Sequence, residues 1–174
     1  MAADRREVPG PWNVERSCRI TDASLLDRTY CIIRDEMRET GRAPHYAEMA
    51  GALGLSVEES RRAVYDLMNT PFPGWLHPGM DHVASFPPFS NVPTHHRITV
   101  EGEQKWSAQC GFESLAMCWL FPGRTIRVDT YCLHSGEPIR VEMCDGEVLL
   151  AEPETIFGYV SVPFAKWREN KPFA

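Results

Sequence analysis

Cys110 and Glu113 stand three residues apart in Trp106-Ser107-Ala108-Gln109-Cys110-Gly111-Phe112-Glu113-Ser114-Leu115, where a strand pattern gives way to a helical one. Positions i and i+3 share one face of a helix, so a thiol and a carboxyl at this spacing meet. A cysteine in a first helical turn faces unpaired amide N–H groups and the positive end of the macrodipole, and both favour its thiolate. The spacing predicts Cys110 as a nucleophile or soft-metal ligand, with Glu113 beside it as proton donor. The plainer alternative is a half-buried cysteine at a helix start and a surface glutamate.

The elements that must position this pair follow from periodicity. From Asp22 the residues Leu25, Leu26, Tyr30, Ile32, Ile33 and Met37 predict one apolar helical face, stopped by Gly41. A second helix runs from Pro44 to Leu53 and closes at Gly54. A third starts at the capping box Ser56-Val57-Glu58-Glu59 and turns Val57, Ala63, Val64, Leu67 and Met68 inward. Three short helices in this layout predict a winged-helix-like domain over residues 22–70, after an arm at 1–21. Residues 71–93, rich in Pro, Gly, Phe and His, read as a long loop or lid. The remainder, 94–174, alternates as strands at Arg97 to Glu101, Gln104 to Ser107, Thr125 to Tyr131, Pro138 to Met143, Val148 to Ala151 and Ile156 to Val162. One strong helix interrupts them from Cys110 to Phe121, with Leu115, Ala116, Trp119 and Leu120 inward, and a short tail helix surrounds Trp167. Helices first and a mixed or antiparallel sheet second make an α+β chain.

Composition narrows the functional classes. A chain of 174 residues with 43% hydrophobic content suits one packed domain or a small core with a helical appendage. The net charge of −6 argues against a protein whose main partner is a phosphate backbone. Arg61 and Arg62 on the third helix are the residues a DNA-reading alternative would use, but Glu58, Glu59 and Asp66 share that helix. No apolar run approaches the ~18 residues of a membrane span, and Met1 to Glu7 lacks an apolar signal core, so a soluble cytoplasmic protein is expected. Cys18, Cys31, Cys110, Cys118, Cys132 and Cys144 contain no Cys-x-x-Cys pair, which speaks for reduced thiols and against structural zinc. No cofactor is expected.

Three stretches together carry a resemblance: Phe86-Pro87-Pro88-Phe89-Ser90-Asn91-Val92-Pro93-Thr94-His95-His96-Arg97-Ile98-Thr99-Val100, then the Trp106 to Leu115 run, then Gly123-Arg124-Thr125-Ile126-Arg127-Val128 with Cys132 and Ser135-Gly136-Glu137-Pro138-Ile139. In order and spacing they resemble the organomercurial (alkylmercury) lyase family over residues 22 to 165. The resemblance implies an N-terminal winged-helix-like domain and a catalytic sheet. It also implies that Cys110 captures mercury and that Glu113, where the family has aspartate, protonates the departing carbon. Cys132 matches a cysteine regarded as structural. The family's second catalytic cysteine, in an aromatic-flanked strand, finds no thiol in Ile156-Phe157-Gly158-Tyr159-Val160-Ser161-Val162-Pro163.

Mercury(II) is soft and prefers two thiolates, so one cysteine activates the carbon–mercury bond less well. Cys118, eight helical residues from Cys110, would lie about 12 Å along the axis, too far to share the metal. The expectation is a lyase-like enzyme repurposed to a small organic substrate, with Cys110 and Glu113 as the reactive pair. The alternatives are a true alkylmercury lyase, a binding protein without turnover, and a winged-helix regulator. Phe89, His95, His96, Trp106, Cys132 and Tyr159 are the candidate substrate-binding residues, and Cys110 the candidate mercury ligand. Adjacent positions at a strand start should send one of His95 and His96 inward and the other outward. His134 is read as a solvated turn residue. The expected partner is a small molecule, with no nucleic acid or membrane, and the chain a monomer or homodimer.

Overall fold

A computed structural model of the protein describes residues 23–172; the arm at 1–21 and Cys18 lie outside them. The first periodic segment is α1 (Ala23–Thr40), which buries Leu26, Thr29, Ile33 and Met37 at helical spacing. It ends where Gly41, at a φ of 76°, donates its N–H to the carbonyl of Met37 at 2.9 Å. A side chain at Gly41 would have its Cβ 2.7 Å from Cγ of Lys105 and 2.9 Å from its carbonyl oxygen, so only glycine lets the chain approach this closely.

Helix α2 (Tyr46–Leu53) starts two residues later than Pro44. His45 is its N-cap, its ring nitrogen accepting from the Ala47 N–H, while Glu48 reaches back to the His45 amide at 2.7 Å. Helix α3 (Val57–Met68) carries the expected Ser56/Glu59 capping box. Val57, expected inward, is exposed, and the buried face is instead Ser60, Ala63, Val64, Leu67 and Met68. Ser60 is tolerated there because its hydroxyl donates to the Tyr46 carbonyl at 2.7 Å. Arg61 is held by Asp81 at 2.8 Å and Glu58 at 3.4 Å, so that guanidinium is spent within the fold.

Residues 71–93, expected as a loop or lid, contribute β1 (Trp75–Leu76), β2 (Val83–Phe86) and β3 (Phe89–Ser90) to the sheet. Every residue of β2 and β3 is buried, so Phe86 and Phe89 of the expected lid are core residues, while Phe72 and Trp75 are half-buried. Then come β4 (Arg97–Val100), β5 (Glu103–Ala108), β6 (Ile126–Tyr131), β7 (Pro138–Cys144) and β8 (Glu147–Glu152). All pairings are antiparallel, in the order β1-β2-β3-β5-β4-β6-β7-β8. The turns at Glu101-Gly102 and Asp145-Gly146 place both residues at positive φ, as tight hairpins of matching twist require.

The single helix expected from Cys110 to Phe121 is shorter: α4 (Gly111–Ala116) gives way to a 3-10 turn, Met117–Leu120. The tighter turn swings Met117 and Cys118 into the core and leaves Trp119, expected inward, 66% exposed. Residues 156–162, expected as a strand, are coil, and the tail helix is a 3-10 turn at Phe164–Glu169. Prolines at 153 and 163 bracket that coil, and it packs on α4 rather than pairing with β8. The fold is α+β. A single apolar cluster runs from Leu26, Ile33 and Met37 of α1 through Leu67 of α3 to Phe86, Phe89, Ile98 and Val128 of the sheet. Among the described residues no helix is long and apolar enough to cross a membrane.

Candidate active site

The turn that carries Cys110 is built where β5 runs into α4. The strand register pairs Phe89 with Ala108, which delivers Gln109 and Cys110 to the sheet edge as the chain leaves it. Gln109 is braced on three sides: its N–H donates to the Pro88 carbonyl at 3.0 Å, its Nε2 to the Pro73 carbonyl at 3.3 Å, and its Oε1 accepts from Ser85 Oγ at 2.6 Å. Cys110 follows in extended conformation as the N-cap of α4, and its carbonyl accepts the Ser114 N–H at 2.9 Å. The following turn brings Glu113 back against the thiol, close enough for each group to shift the proton affinity of the other. The i, i+3 geometry expected from the sequence is therefore present.

The electrostatics differ from the expected low-pKa thiolate. Burial, then the neighbouring Glu113 carboxyl, pushes the Cys110 thiol up to about 11; the Phe112 and Glu113 amides oppose this but are outweighed. Burial also pushes Glu113 up to about 7, with the neighbouring thiol pulling the other way. Its Oε2 is buried without a hydrogen-bond partner. At neutral pH the pair is a protonated thiol beside a carboxyl poised between acid and carboxylate.

His96 approaches the same turn. Its ring carbon Cε1 lies 3.6 Å from where a side chain at Gly111 would begin, and its Nδ1 is 3.0 Å from Thr130 Oγ1. Burial, then His95, pulls its pKa down to about 4, so the imidazole beside α4 is neutral near pH 7. His95 and His96 do not alternate across a strand. Both precede β4, both are half-buried, and their rings stack with centroids 3.9 Å apart, His95 resting on Tyr131 at 5.2 Å.

Other expected binding residues lie elsewhere. Phe89 is buried in the core at 1% exposure and lines no opening. Trp106 is also core, because its indole N–H donates to the carbonyls of Met37 and Arg38 at 2.9 and 3.1 Å and so ties β5 to the end of α1. Tyr159 is 88% exposed on the coil rather than aimed into the site. Cys132 follows β6 in the hairpin turn rather than lying in a strand, its amide donating to the Glu137 carbonyl at 2.8 Å. Hydrogen bonds from Ser135 and the His134 amide lower its pKa. His134 is exposed in that turn, as expected. Among the described residues no three His, Cys, Asp or Glu side chains cluster as a metal site. Sequence reasoning missed Gln109, Phe112 and Ser85. Gln109 stood within the motif, but its partners at 73, 85 and 88 are visible only after folding.

The alkylmercury lyase family model matches residues 89–173. Alkylmercury lyases of Bacillus cereus and Clostridium butyricum are each 32% identical over 75 residues, 41% of this chain and 32% of theirs. The match thus spans about a third of the length of these curated relatives. A solved structure described as the mercury-bound form of MerB2 superimposes with a TM-score of 0.58 over 75% of this chain and 65% of the other, at 19% identity, which bears on the fold alone. The matched region holds the Cys110 turn, the strands that carry it and the hairpin of Cys132, so through residues 89–173 the chain is alkylmercury lyase-like.

Proposed function

We propose that the protein cleaves a carbon–mercury bond at the Cys110–Glu113 pair. The observation that carries this is the placement of the thiol and a buried carboxyl on one turn inside the region that the alkylmercury lyase family model matches, and the protonation state agrees with it. A thiol held at about 11 is mostly un-ionised at neutral pH and a poor nucleophile toward ordinary organic carbon. A soft metal displaces that proton regardless, because sulfur–mercury affinity exceeds what the proton can resist. This favours mercury chemistry over the repurposed organic substrate that the sequence suggested.

The steps balance without an outside oxidant or reductant. An organomercurial carried as its adduct with a small thiol exchanges onto Cys110, forming the sulfur–mercury bond and returning the carrier thiol with the Cys110 proton. Glu113, protonated at and below about pH 7, then gives its proton to the mercury-bound carbon as the carbon–mercury bond breaks, and the hydrocarbon leaves. A second small thiol supplies a further soft ligand and restores the Glu113 proton. A third takes up the mercury and reprotonates Cys110.

Phenylmercury with excess small thiol tests the reading by benzene release. Wild type should turn over repeatedly, and Cys110→Ser should lose turnover by at least about a hundredfold while keeping its fold, since a hydroxyl is a poor mercury ligand. Stoichiometric mercury capture without benzene would instead support a binding protein, the reading favoured by the absence of a second thiol in the Ile156 to Pro163 segment.

A further inference from the structure

After β8 the chain crosses back over the reactive turn. Gly158 packs so tightly on Phe112, the second residue of α4, that a side chain at 158 would begin 2.5 Å from the ring. The 3-10 turn follows, where the Trp167 indole donates to the Val162 carbonyl at 3.0 Å and closes the segment on itself. Then Lys171 reaches the loop after α3. Its ammonium donates to four carbonyls at alternate positions, Met68 at 2.7 Å, Thr70 at 3.1 Å, Phe72 at 2.6 Å and Gly74 at 3.2 Å. Met68 ends α3, so this cup also carries the negative end of a helix dipole. The same loop presents the Pro73 carbonyl to Gln109, the residue before Cys110. The segment thus touches the reactive turn in its middle and the brace of that turn at its end.

Around its contact with Phe112 the segment itself is exposed. Phe157 and Tyr159 flank Gly158 at 90% and 88% exposure, so the middle of the segment buries almost no apolar side chain of its own. A span with so little buried surface opens easily unless an end is pinned. One compact ammonium whose three N–H donors are shared among four carbonyls is such a pin.

We propose that residues 153–171 form a strap over the Cys110 turn, latched by the Lys171 ammonium in its carbonyl cup, and that Lys171 thereby sets the size of electrophile that reaches Cys110. This rests on reading Cys110 as the capturing thiol. Small organomercurials pass beneath the latched strap; bulky ones wait for it to open.

Site-resolved mass spectrometry of Cys110 with methylmercury and with a fluorescein-bearing mercurial tests the proposal, Cys132 in its hairpin turn serving as internal reference. Losing the charge-assisted bonds in Lys171→Met should raise the Cys110 rate with the bulky reagent about tenfold while changing the methylmercury rate by less than about twofold. In Lys171→Ala, ammonium chloride should restore the slow bulky reaction and tetramethylammonium chloride should not, because only a small cation with N–H donors fits the cup. A bulky-reagent rate equal to wild type in both variants overturns the latch, as does rescue by both salts alike. Hydrogen exchange of the 155–162 amides gives a readout independent of Cys110, and it should accelerate in Lys171→Met. If wild-type Cys110 takes up no methylmercury, the reading of the site fails, and the exchange measurement still decides whether Lys171 holds the strap.

Discussion

Glu113 is the residue on which both the proposed proton transfer and the pH dependence turn. Its folded-state pKa of about 7 lies above the ordinary carboxyl value near 4.5. A raised folded pKa means that the folded chain holds a proton the unfolded chain releases. The associated stability is complete below about pH 4.5 and is lost as pH rises to about 7. The difference corresponds to about 3 kcal/mol. Glu113→Gln removes this contribution while leaving that of His96 in place, so the wild-type-minus-variant difference in unfolding free energy should shrink as pH rises from 5 to 8, as urea titrations at several pH values would show. The same substitution removes the proposed proton donor. Wild-type hydrocarbon release should fall as pH rises through about 7, and the variant should lose about a hundredfold or more in rate and show no such limb. A variant rate close to wild type would exclude Glu113 as the acid. The orphaned Oε2 fits this role, since an oxygen with no partner in the resting protein is free to face a substrate.

Between elements, the join of helices to sheet depends on few polar contacts. The Asn91 side chain accepts the Ala43 N–H at 2.9 Å and donates to the Val83 carbonyl at 3.0 Å, bridging the α1–α2 connection to β2. Asn91→Ala leaves both backbone groups unpartnered and should cost about 2 kcal/mol, measured by chemical denaturation. Nothing in the sequence marks this residue, because each of its partners is distant in the chain. What could be read at this scale had local causes. The Ser56/Glu59 box announces α3 because both partners lie within one turn, and Asp145-Gly146 announces a hairpin because the turn itself requires positive φ. The i, i+3 meeting of Cys110 and Glu113 was legible for the same reason. What could not be read had tertiary causes. Packing of Met117 and Cys118 into the core converts the second half of the expected helix to a 3-10 turn, and contact with Phe112 holds residues 156–162 away from any strand partner. The Cys110 thiol also escaped, since the amides that favour its thiolate are local while the burial that outweighs them is not.

Across the whole molecule, the helices and the sheet share one apolar cluster. The strand order also implies an order of assembly in time. β6, β7 and β8 are sequential neighbours joined by short turns, so their pairing closes only small loops. By contrast, β4 pairs with β6 across an excursion that contains β5, α4 and the entire Cys110 turn. Closing that excursion costs more chain entropy before any contact repays it. The meander should form first and the reactive turn settle onto it late. Stopped-flow kinetics can tell: Val141→Ala, between β6 and β8, should chiefly slow folding, whereas Ala116→Gly in α4 should chiefly speed unfolding. A chain emerging from synthesis would then carry its thiol exposed until the last step, and the interval before closure is when mercury or an oxidant could trap it outside its site.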